Sequence, residues 1–288
     1  MTEKHSAESL VQGAVELYSL PDIYFQIKEK IDDPRHSARD LGKVIARDPA
    51  LSARLLKIVN SAYFGFSASI DTIPRAITMV GIDALHNLAL ATSVVDSFSD
   101  IPDDLVDMTD FWLRSVSCAV IVRLLAKKLP VLHYERLFVA GMLHDLGAIV
   151  LYDKLPDQSR HILQSANFDH RQVALLEQEI LGFTAADVSG ALLQAWGLPQ
   201  LLYEPVACRL QPESAETYHL EAQLLHLAAR LSDCAGAELS ARQVISEIAE
   251  QQIDSDRFDV LEIEQLLIEA EKDFAEIFQM FVPQQYVN

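Results

Sequence analysis

Residues 137–151 form an almost wholly apolar stretch that contains His144 and Asp145 side by side. An apolar run of this length predicts a buried helix with the two polar residues in its middle. A carboxylate buried beside an imidazole is costly unless both are hydrogen-bonded or bind a cation. The chain must therefore adopt a fold that supplies a hydrogen-bonding or charged partner to His144 and Asp145. A hydrolytic metal site at this pair would need further ligands from other helices.

Apolar residues elsewhere recur at helical spacing. Leu51, Leu55 and Val59 share one face of a helix that Asp48 caps and Pro49 opens. Leu, Ala, Ile, Glu and Gln are plentiful, whereas Gly is scarce, with 10 residues in the chain. No stretch shows the alternation of a strand. The sequence therefore predicts an all-α protein.

Polar segments divide the chain into candidate domains. Residues 1–14 predict a mobile leader, and residues 15–100 an N-terminal helical bundle. The acidic, proline-containing stretch 99–104 is typical of a linker. Residues 105–240 then predict a second helical subdomain that contains the His-Asp pair. Amphipathic helices are expected to close the protein over residues 241–288.

Composition narrows the classes of partner and compartment. The formal net charge is −19, and a surface this negative repels phosphate backbones and anionic lipids. The N-terminus has no apolar signal segment, and no run approaches the length of a membrane-spanning helix. The three cysteines, Cys118, Cys208 and Cys234, are widely spaced and form no CxxC element. This usage favours a reducing cytoplasm, with Cys118 as a small core residue.

Several motifs occur in an order that resembles the HDOD domain, or HD-related output domain. They are Leu20-Pro21, Ile45-Ala-Arg-Asp-Pro-Ala-Leu together with Asn60-Ser61, Ala76-Ile-Thr-Met-Val-Gly81, Phe111-Trp112, Ala140-Gly-Met-Leu-His-Asp-Leu-Gly147 and Trp196-Gly-Leu-Pro199. The resemblance covers about residues 15–235. HDOD domains are helical modules of bacterial signalling proteins, related to HD phosphohydrolases and HD-GYP cyclic-dinucleotide phosphodiesterases. The resemblance implies an N-terminal helical bundle packed on a degenerate HD-like helical core.

The degeneracy lies in the metal ligands, of which this chain keeps only the central His-Asp pair. Arg114 stands where the family often has a histidine after its tryptophan, and Ala185 where related sequences carry Gly-x-x-His. A His-His pair is expected near Cys208-Arg209-Leu210 and is absent. The late aspartate of the HD signature would fall near Ala229.

Two protein ligands are too few for a catalytic metal centre, since zinc hydrolases supply three or more. We therefore expect His144 and Asp145 to be a hydrogen-bonded remnant, with metal ligation by the pair as the alternative. No cofactor is expected unless that alternative holds, in which case it would be a divalent metal. Arg114 at a former ligand position would repel a cation and is a candidate to compensate the charge of Asp145.

The hairpin at residues 37–60 is locally basic, through Arg39, Lys43, Arg47, Arg54 and Lys57. A helical pair whose solvated face is positive is the ordinary interpretation of this pattern. A DNA-reading helix-turn-helix is an alternative, although five scattered cations are few for that role. The same residues could equally dock an acidic protein partner.

The turn after this hairpin contains Asn60, Ser61, Tyr63 and Phe64. Asn60 and Ser61 can hydrogen-bond to backbone groups where a helix ends, which is a structural role. In a functional interpretation, the turn and its aromatic residues form part of an interaction groove between the two halves of the protein.

The resemblance to HDOD domains, together with the missing ligands, implies a non-catalytic signal-transduction module of the bacterial cytoplasm. It is expected to act by binding another protein, and optionally a small effector. A chain of 288 residues leaves no room for a fused receiver, so the signalling partner is expected in trans. The main alternative is a metal-dependent HD phosphohydrolase acting on a nucleotide or cyclic dinucleotide. A third hypothesis is a transcriptional regulator that uses residues 37–60.

Overall fold

A computed structural model describes residues 6–14, 18–33, 35, 37–61, 64–66, 68–98, 105–129, 131, 134–233 and 260–282. All regular structure in these ranges is helical, so the all-α prediction is confirmed. The helices are α1 Ala7–Ala14, α2 Asp22–Asp32, α3 Ala38–Ile45, α4 Pro49–Val59, α5 Ile73–Val80, α6 Ile82–Ser97, α7 Met108–Lys127, α8 Glu135–Leu143, α9 Leu146–Lys154, α10 Pro156–Ser165, α11 His170–Ile180, α12 Ala185–Ala195, α13 Gln200–Ala207, α14 His219–Asp233 and α15 Val260–Phe281, with a 3₁₀ turn at Pro212–Ser214.

The chain divides into two compact units. The larger unit comprises Met1–Tyr18 and Pro102–Ala270, and the smaller unit comprises Ser19–Ile101 and Glu271–Asn288. The expected linker at 99–104 lies outside the described residues. The expected C-terminal group, 241–288, stays a prediction; its residues belong to both units, which divide after Ala270.

Helix α7 forms the centre of the larger unit. Its apolar residues lie on all sides of the helix, and a helix of this kind is stable only when it is surrounded by protein. It packs against α8 and α14, while α12 packs against α1, α9 and α13. Trp112 and Cys118 on α7 are completely buried, which confirms that Cys118 is a core residue.

The N-terminal segment differs from the mobile leader that we expected at residues 1–14. Ala7–Ala14 form helix α1, which packs against α12 and buries Ala7, Leu10, Val11 and Ala14. An isolated helix of this length is marginal in water, so tertiary packing of its apolar face must stabilise it. Because polar residues lie between these positions, the apolar face was not recognised in the sequence. Residues 1–5 lie outside the described part of the chain.

Two helices of the smaller unit, α3 and α4, begin at side-chain caps. The Ser37 hydroxyl and the Asp40 carboxylate form a reciprocal capping box on α3, and Asp48 caps α4 as predicted. Gly81, with φ of 91°, ends α5 in a conformation that favours glycine. Asp83 lies one residue inside α6, which begins at Ile82. It lies in the first turn, where its charge still complements the helix dipole.

Within the described ranges, no single helix is long and apolar enough to cross a membrane. Ile73–Val80 and Ile82–Val95 reach that length and composition only as a pair bent by 116°.

Candidate functional site

His144 and Asp145 lie at a break between two helices, and not in the middle of one helix as the sequence predicted. His144 follows the last residue of α8, and Asp145 precedes the first residue of α9, with φ of −116° and ψ of 13°. The His144 ring nitrogen Nδ1 is 2.7 Å from the Gly141 carbonyl oxygen, one turn earlier. That contact occupies a carbonyl of the last turn of α8, so the side chain itself helps to end the helix.

Two glycines allow the neighbouring helices to approach this break closely. A Cβ atom on Gly141 would lie 2.5 Å from Ala119 Cα on α7. A Cβ atom on Gly147 would overlap the Ala185 carbonyl oxygen at the start of α12. The Gly147 amide donates to Ser189 Oγ over 2.8 Å, which ties α9 to α12. The His-Asp pair is therefore held between α7 and α12 by backbone packing.

Two arginines hold the Asp145 carboxylate. Arg209 Nη2, just after α13, donates to Oδ1 over 2.7 Å, and Arg114 Nη2 on α7 donates to Oδ2 over 3.4 Å. The side chains of Asp145 and Arg209 are only 12% and 8% exposed, and that of Arg114 is 18% exposed. Because both carboxylate oxygens accept from guanidinium groups, the negative charge is compensated by protein alone.

Arg114 also connects the pair to two other helices. Its Nη1 lies 3.1 Å from His170 Nδ1, at the start of α11, and 3.8 Å from Asp233 Oδ1, at the end of α14. Residues of α7, α11 and α14 thus meet at one guanidinium group beside the α8–α9 break.

The surroundings set the charge of each member of the pair. Burial raises the pKa of Asp145, but Arg209, Arg114 and the neighbouring histidines outweigh it, so the pKa lies below its ordinary value. Burial lowers the pKa of His144 to about 4. At neutral pH the site therefore contains a carboxylate and a neutral imidazole, and Nδ1 of that imidazole donates to Gly141.

No local pattern in the sequence predicts the role of Arg209, although its position is one where ligands were expected. We expected a histidine pair near residues 208–210 and noted only that it was absent. The Arg209 carbonyl oxygen lies 2.6 Å from His226 Nδ1 on α14, which holds the backbone of Arg209 in place. The Nη1 atom of Arg209 is buried with no hydrogen-bond partner among the described residues. The contact with Asp145 is therefore what compensates this buried cation.

A second buried carboxylate, Glu177 on α11, lies in the same region. Its Oε2 accepts from the Ala185 amide over 2.8 Å at the first turn of α12. Burial raises the pKa of Glu177 to about 7, and the negative charge of Asp145 also raises it. Ala185, where related sequences carry histidine, thus contributes a backbone donor to this region.

Among the described residues, no group of three His, Cys, Asp or Glu side chains is arranged to hold a metal ion. Of the positions where the resemblance places ligands, 144 and 145 carry the histidine and aspartate of the HD pattern, and both oxygens of Asp145 already accept from arginines.

The turn after α4 contains the other predicted site residues. Asn60 Nδ2 donates to the Leu56 and Ile70 carbonyl oxygens over 2.8 and 2.7 Å, and Asn60 Oδ1 accepts from the Ile70 amide over 2.7 Å. Ser61 Oγ donates to the Ile58 carbonyl oxygen over 2.6 Å. These contacts give Asn60 and Ser61 a structural role in the smaller unit.

The aromatic residues of that turn are less fully described. Phe64 stacks on Phe66 with ring centroids 6.2 Å apart, and Tyr63 lies outside the described residues. The expected interaction groove stays a prediction.

A family model of the HDOD domain matches residues 17–212 of this chain, which is more than half of its length. The chain belongs to the HDOD family. The resemblance seen in the motifs is thereby confirmed, and membership of this family fits a regulatory role.

Solved structures share the HDOD fold. A proposed phosphohydrolase from Shewanella amazonensis gives a TM-score of 0.77 at 26% identity, covering 97% of this chain and 100% of that one. An HDOD domain protein of unknown function from Geobacter sulfurreducens gives 0.70 at 18% identity, covering 95% and 96%. A proposed signal transduction protein from Marinobacter aquaeolei gives 0.68 at 22% identity, covering 94% and 61%. The last two, below 25% identity, show a common fold alone.

A sequence relative is an uncharacterized protein of Treponema pallidum, 25% identical over 196 residues. The match covers 67% of this HDOD chain but only 37% of the length of that relative.

Proposed function

We propose that this HDOD protein is a non-catalytic module of bacterial signal transduction that acts by binding another protein. The observation that carries the proposal is the pair of guanidinium groups on Asp145, the carboxylate that HD hydrolases use as a metal ligand. Arg209 and Arg114 contact its two oxygens at 2.7 and 3.4 Å. In this proposal the His-Asp pair is a remnant whose metal has been replaced by two arginine side chains.

Electrostatics favours the replacement over a bound metal. A divalent cation bound to Asp145 would have to displace at least one arginine from its carboxylate oxygen. The cation would still lie close to both guanidinium groups. Repulsion between two unit charges 4 Å apart is about 4 kcal/mol at an effective dielectric constant of 20, and about twice that for a divalent ion. His144 would be the only other ligand that the HD pattern leaves, whereas hydrolytic zinc sites have three protein ligands.

Binding to another protein is the mode of action that we propose for a regulatory module without chemistry. Family membership supports a regulatory role, and the charge of −19 disfavours nucleic acid and anionic membranes as general partners. We place the protein in the cytoplasm, in keeping with free thiols at Cys118 and Cys208. A signalling protein is the proposed partner, with a small effector as an additional ligand.

Metal content and turnover test the non-catalytic half of the proposal. Tag-free protein purified without chelator is analysed by mass spectrometry beside His144→Ala. Both are then assayed with Mn²⁺ or Mg²⁺ on nucleotides and cyclic dinucleotides for phosphate release or ring opening. We expect only a substoichiometric metal trace that is the same in both proteins, and no turnover.

About one or two ions per chain that are lost in His144→Ala, together with a metal-dependent hydrolysis that is lost in parallel, would contradict the proposal. That result would establish the alternative, an HD phosphohydrolase.

A further inference from the structure

The smaller unit presents a row of cations on two consecutive helices. Arg39, Lys43 and Arg47 are spaced four residues apart along α3 and its end, and all three are exposed. Lys57 on α4 is exposed, and Arg54, one turn before it, is half-buried. We call these five side chains the α3–α4 basic face.

This face contrasts with the rest of the chain. Residues 37–60 carry five of the 23 Lys and Arg residues but only two of the 42 Asp and Glu residues. Both acids are engaged in capping. Asp40 completes the capping box with Ser37 and lies 2.9 Å from Lys43 Nζ, and Asp48 accepts from the Leu51 amide. A local excess of positive charge therefore persists on a protein whose net charge is −19.

The spacing of these cations destabilises α3 when no ligand is bound. Like charges four residues apart on a helix repel each other. Asp40 pairs with Lys43, but no acidic residue lies three or four residues from Arg39 or from Arg47. An acidic ligand would remove this repulsion.

The face is also preorganised, which reduces the entropic cost of binding. Side-chain caps fix the starts of α3 and α4, and Ser52 Oγ donates to the Ile45 carbonyl oxygen to tie the two helices together. Asn60 fixes the end of α4 to residue 70. Between the cations the exposed residues are Ala46, Pro49, Ala50 and Ala53, none of which has a long side chain.

We propose that the α3–α4 basic face is the docking surface for an acidic segment of a partner protein. This inference rests on the proposed function, because it names the class of partner through which a non-catalytic module would act. Nucleic acid fits less well. A polyanion that extends beyond five cations meets a strongly negative protein, and phosphate-backbone binding normally uses more contacts. A short acidic peptide segment matches both the extent and the sign of the face.

The test uses the full chain and a fluorescein-labelled poly-glutamate peptide, followed by fluorescence anisotropy at low and physiological salt. The key variant is Arg39→Glu/Lys57→Glu, which reverses one exposed cation on each helix. The matched control is Lys127→Glu/Lys128→Glu, which makes the same change in net charge at exposed residues of the larger unit. Circular dichroism verifies that all three proteins are equally helical. A duplex oligonucleotide serves as the second probe, and sedimentation velocity reports self-association.

We expect the peptide to bind the unmodified protein and the control alike, more weakly as salt increases. Arg39→Glu/Lys57→Glu should weaken the affinity about tenfold or more, since each reversal replaces an attraction with a repulsion. Equal weakening in both double variants, or no binding of the peptide, overturns the proposal. Tighter binding of the oligonucleotide than of the peptide identifies a nucleic-acid surface and overturns it as well.

Self-association that is lost only in the Arg39→Glu/Lys57→Glu variant assigns the face to a second copy of this chain and again overturns the proposal. Metal content and turnover do not involve this face. A negative peptide result therefore leaves the non-catalytic assignment intact, and a positive hydrolase assay would remove the premise independently.

Discussion

Removal of Arg209 is the most direct test of the idea that guanidinium groups have replaced the metal. In Arg209→Met, Asp145 loses its 2.7 Å contact and keeps only Arg114, at 3.4 Å and partly solvated. Breaking a buried ion pair by removing one partner costs about 3 to 5 kcal/mol. Arg114 still compensates part of the charge, and methionine refills part of the volume. We therefore expect a loss of about 2 to 3 kcal/mol in the free energy of unfolding at pH 7.

The pH dependence of this loss has a defined sign. In the unmodified protein the lowered pKa of Asp145 contributes stability above the ordinary value of 3.8, and this contribution is lost as the pH falls through the lowered pKa. Without Arg209, burial becomes dominant and raises the pKa. Stability of the variant then declines as the pH rises from the ordinary value through the raised one. The difference between the two proteins should therefore be smaller at about pH 4.5 than at pH 7.

Urea unfolding followed by tryptophan fluorescence measures the effect in the relevant unit. The two tryptophans of the chain, Trp112 and Trp196, are both buried in the larger unit, so the signal reports that unit alone. Arg160→Met is the control, because Arg160 pairs with Asp157 on an exposed helix surface and should cost no more than about 0.5 kcal/mol. The double variant Asp145→Asn/Arg209→Met should recover most of the loss, since no uncompensated carboxylate remains.

The reasoning is refuted if Arg209→Met destabilises the larger unit no more than the Arg160 control does. A loss that grows at acidic pH would refute it equally.

Two further substitutions test other parts of the structure. Glu177→Gln should stabilise the protein by up to about 3 kcal/mol at pH 8 but not at pH 4. The unmodified protein loses stability as the pH rises from 4.5 through about 7, because Glu177 then becomes charged in a buried place, whereas glutamine stays neutral. Unfolding curves of both proteins across this range would show it, and parallel pH profiles would contradict it. Asn60→Ala removes three hydrogen bonds to the backbone, two at Ile70 and one at Leu56, and should cost the smaller unit about 2 to 3 kcal/mol. Hydrogen exchange at the Ile70 amide should accelerate, whereas unchanged protection would show that Asn60 does not hold the turn.

The helical class and many helix boundaries could be predicted because their determinants are local. Ser37, Asp48 and Asp169 each accept a hydrogen bond from the backbone within the first turn of the following helix. Such caps depend on residues three positions apart and are legible in the sequence. The HDOD motifs were legible for the same reason, since each is a short contiguous pattern.

The predictions failed where distant residues decided the outcome. The sequence predicts a mobile leader where helix α1 forms, because the stability of α1 comes from packing against α12, far along the chain. The sequence predicts one continuous helix through His144 and Asp145, because the residues on both sides are apolar and compatible with a helix. Ala119 approaches Gly141 closely, and Ala185 approaches Gly147 closely. These contacts join residues that are distant in sequence, so no local pattern predicts them.

The sequence by itself determined that a histidine and an aspartate would lie side by side in a buried helical region, where the carboxylate needs a partner. It also identified positions 114 and 208–210 as places where expected ligands were missing. Only the tertiary structure decided what compensates the carboxylate, because Arg114 and Arg209 are distant in sequence and meet at Asp145 through the packing of their helices. Composition can show that a buried charge needs a partner, but the identity of that partner depends on which side chains the fold brings within a few ångströms.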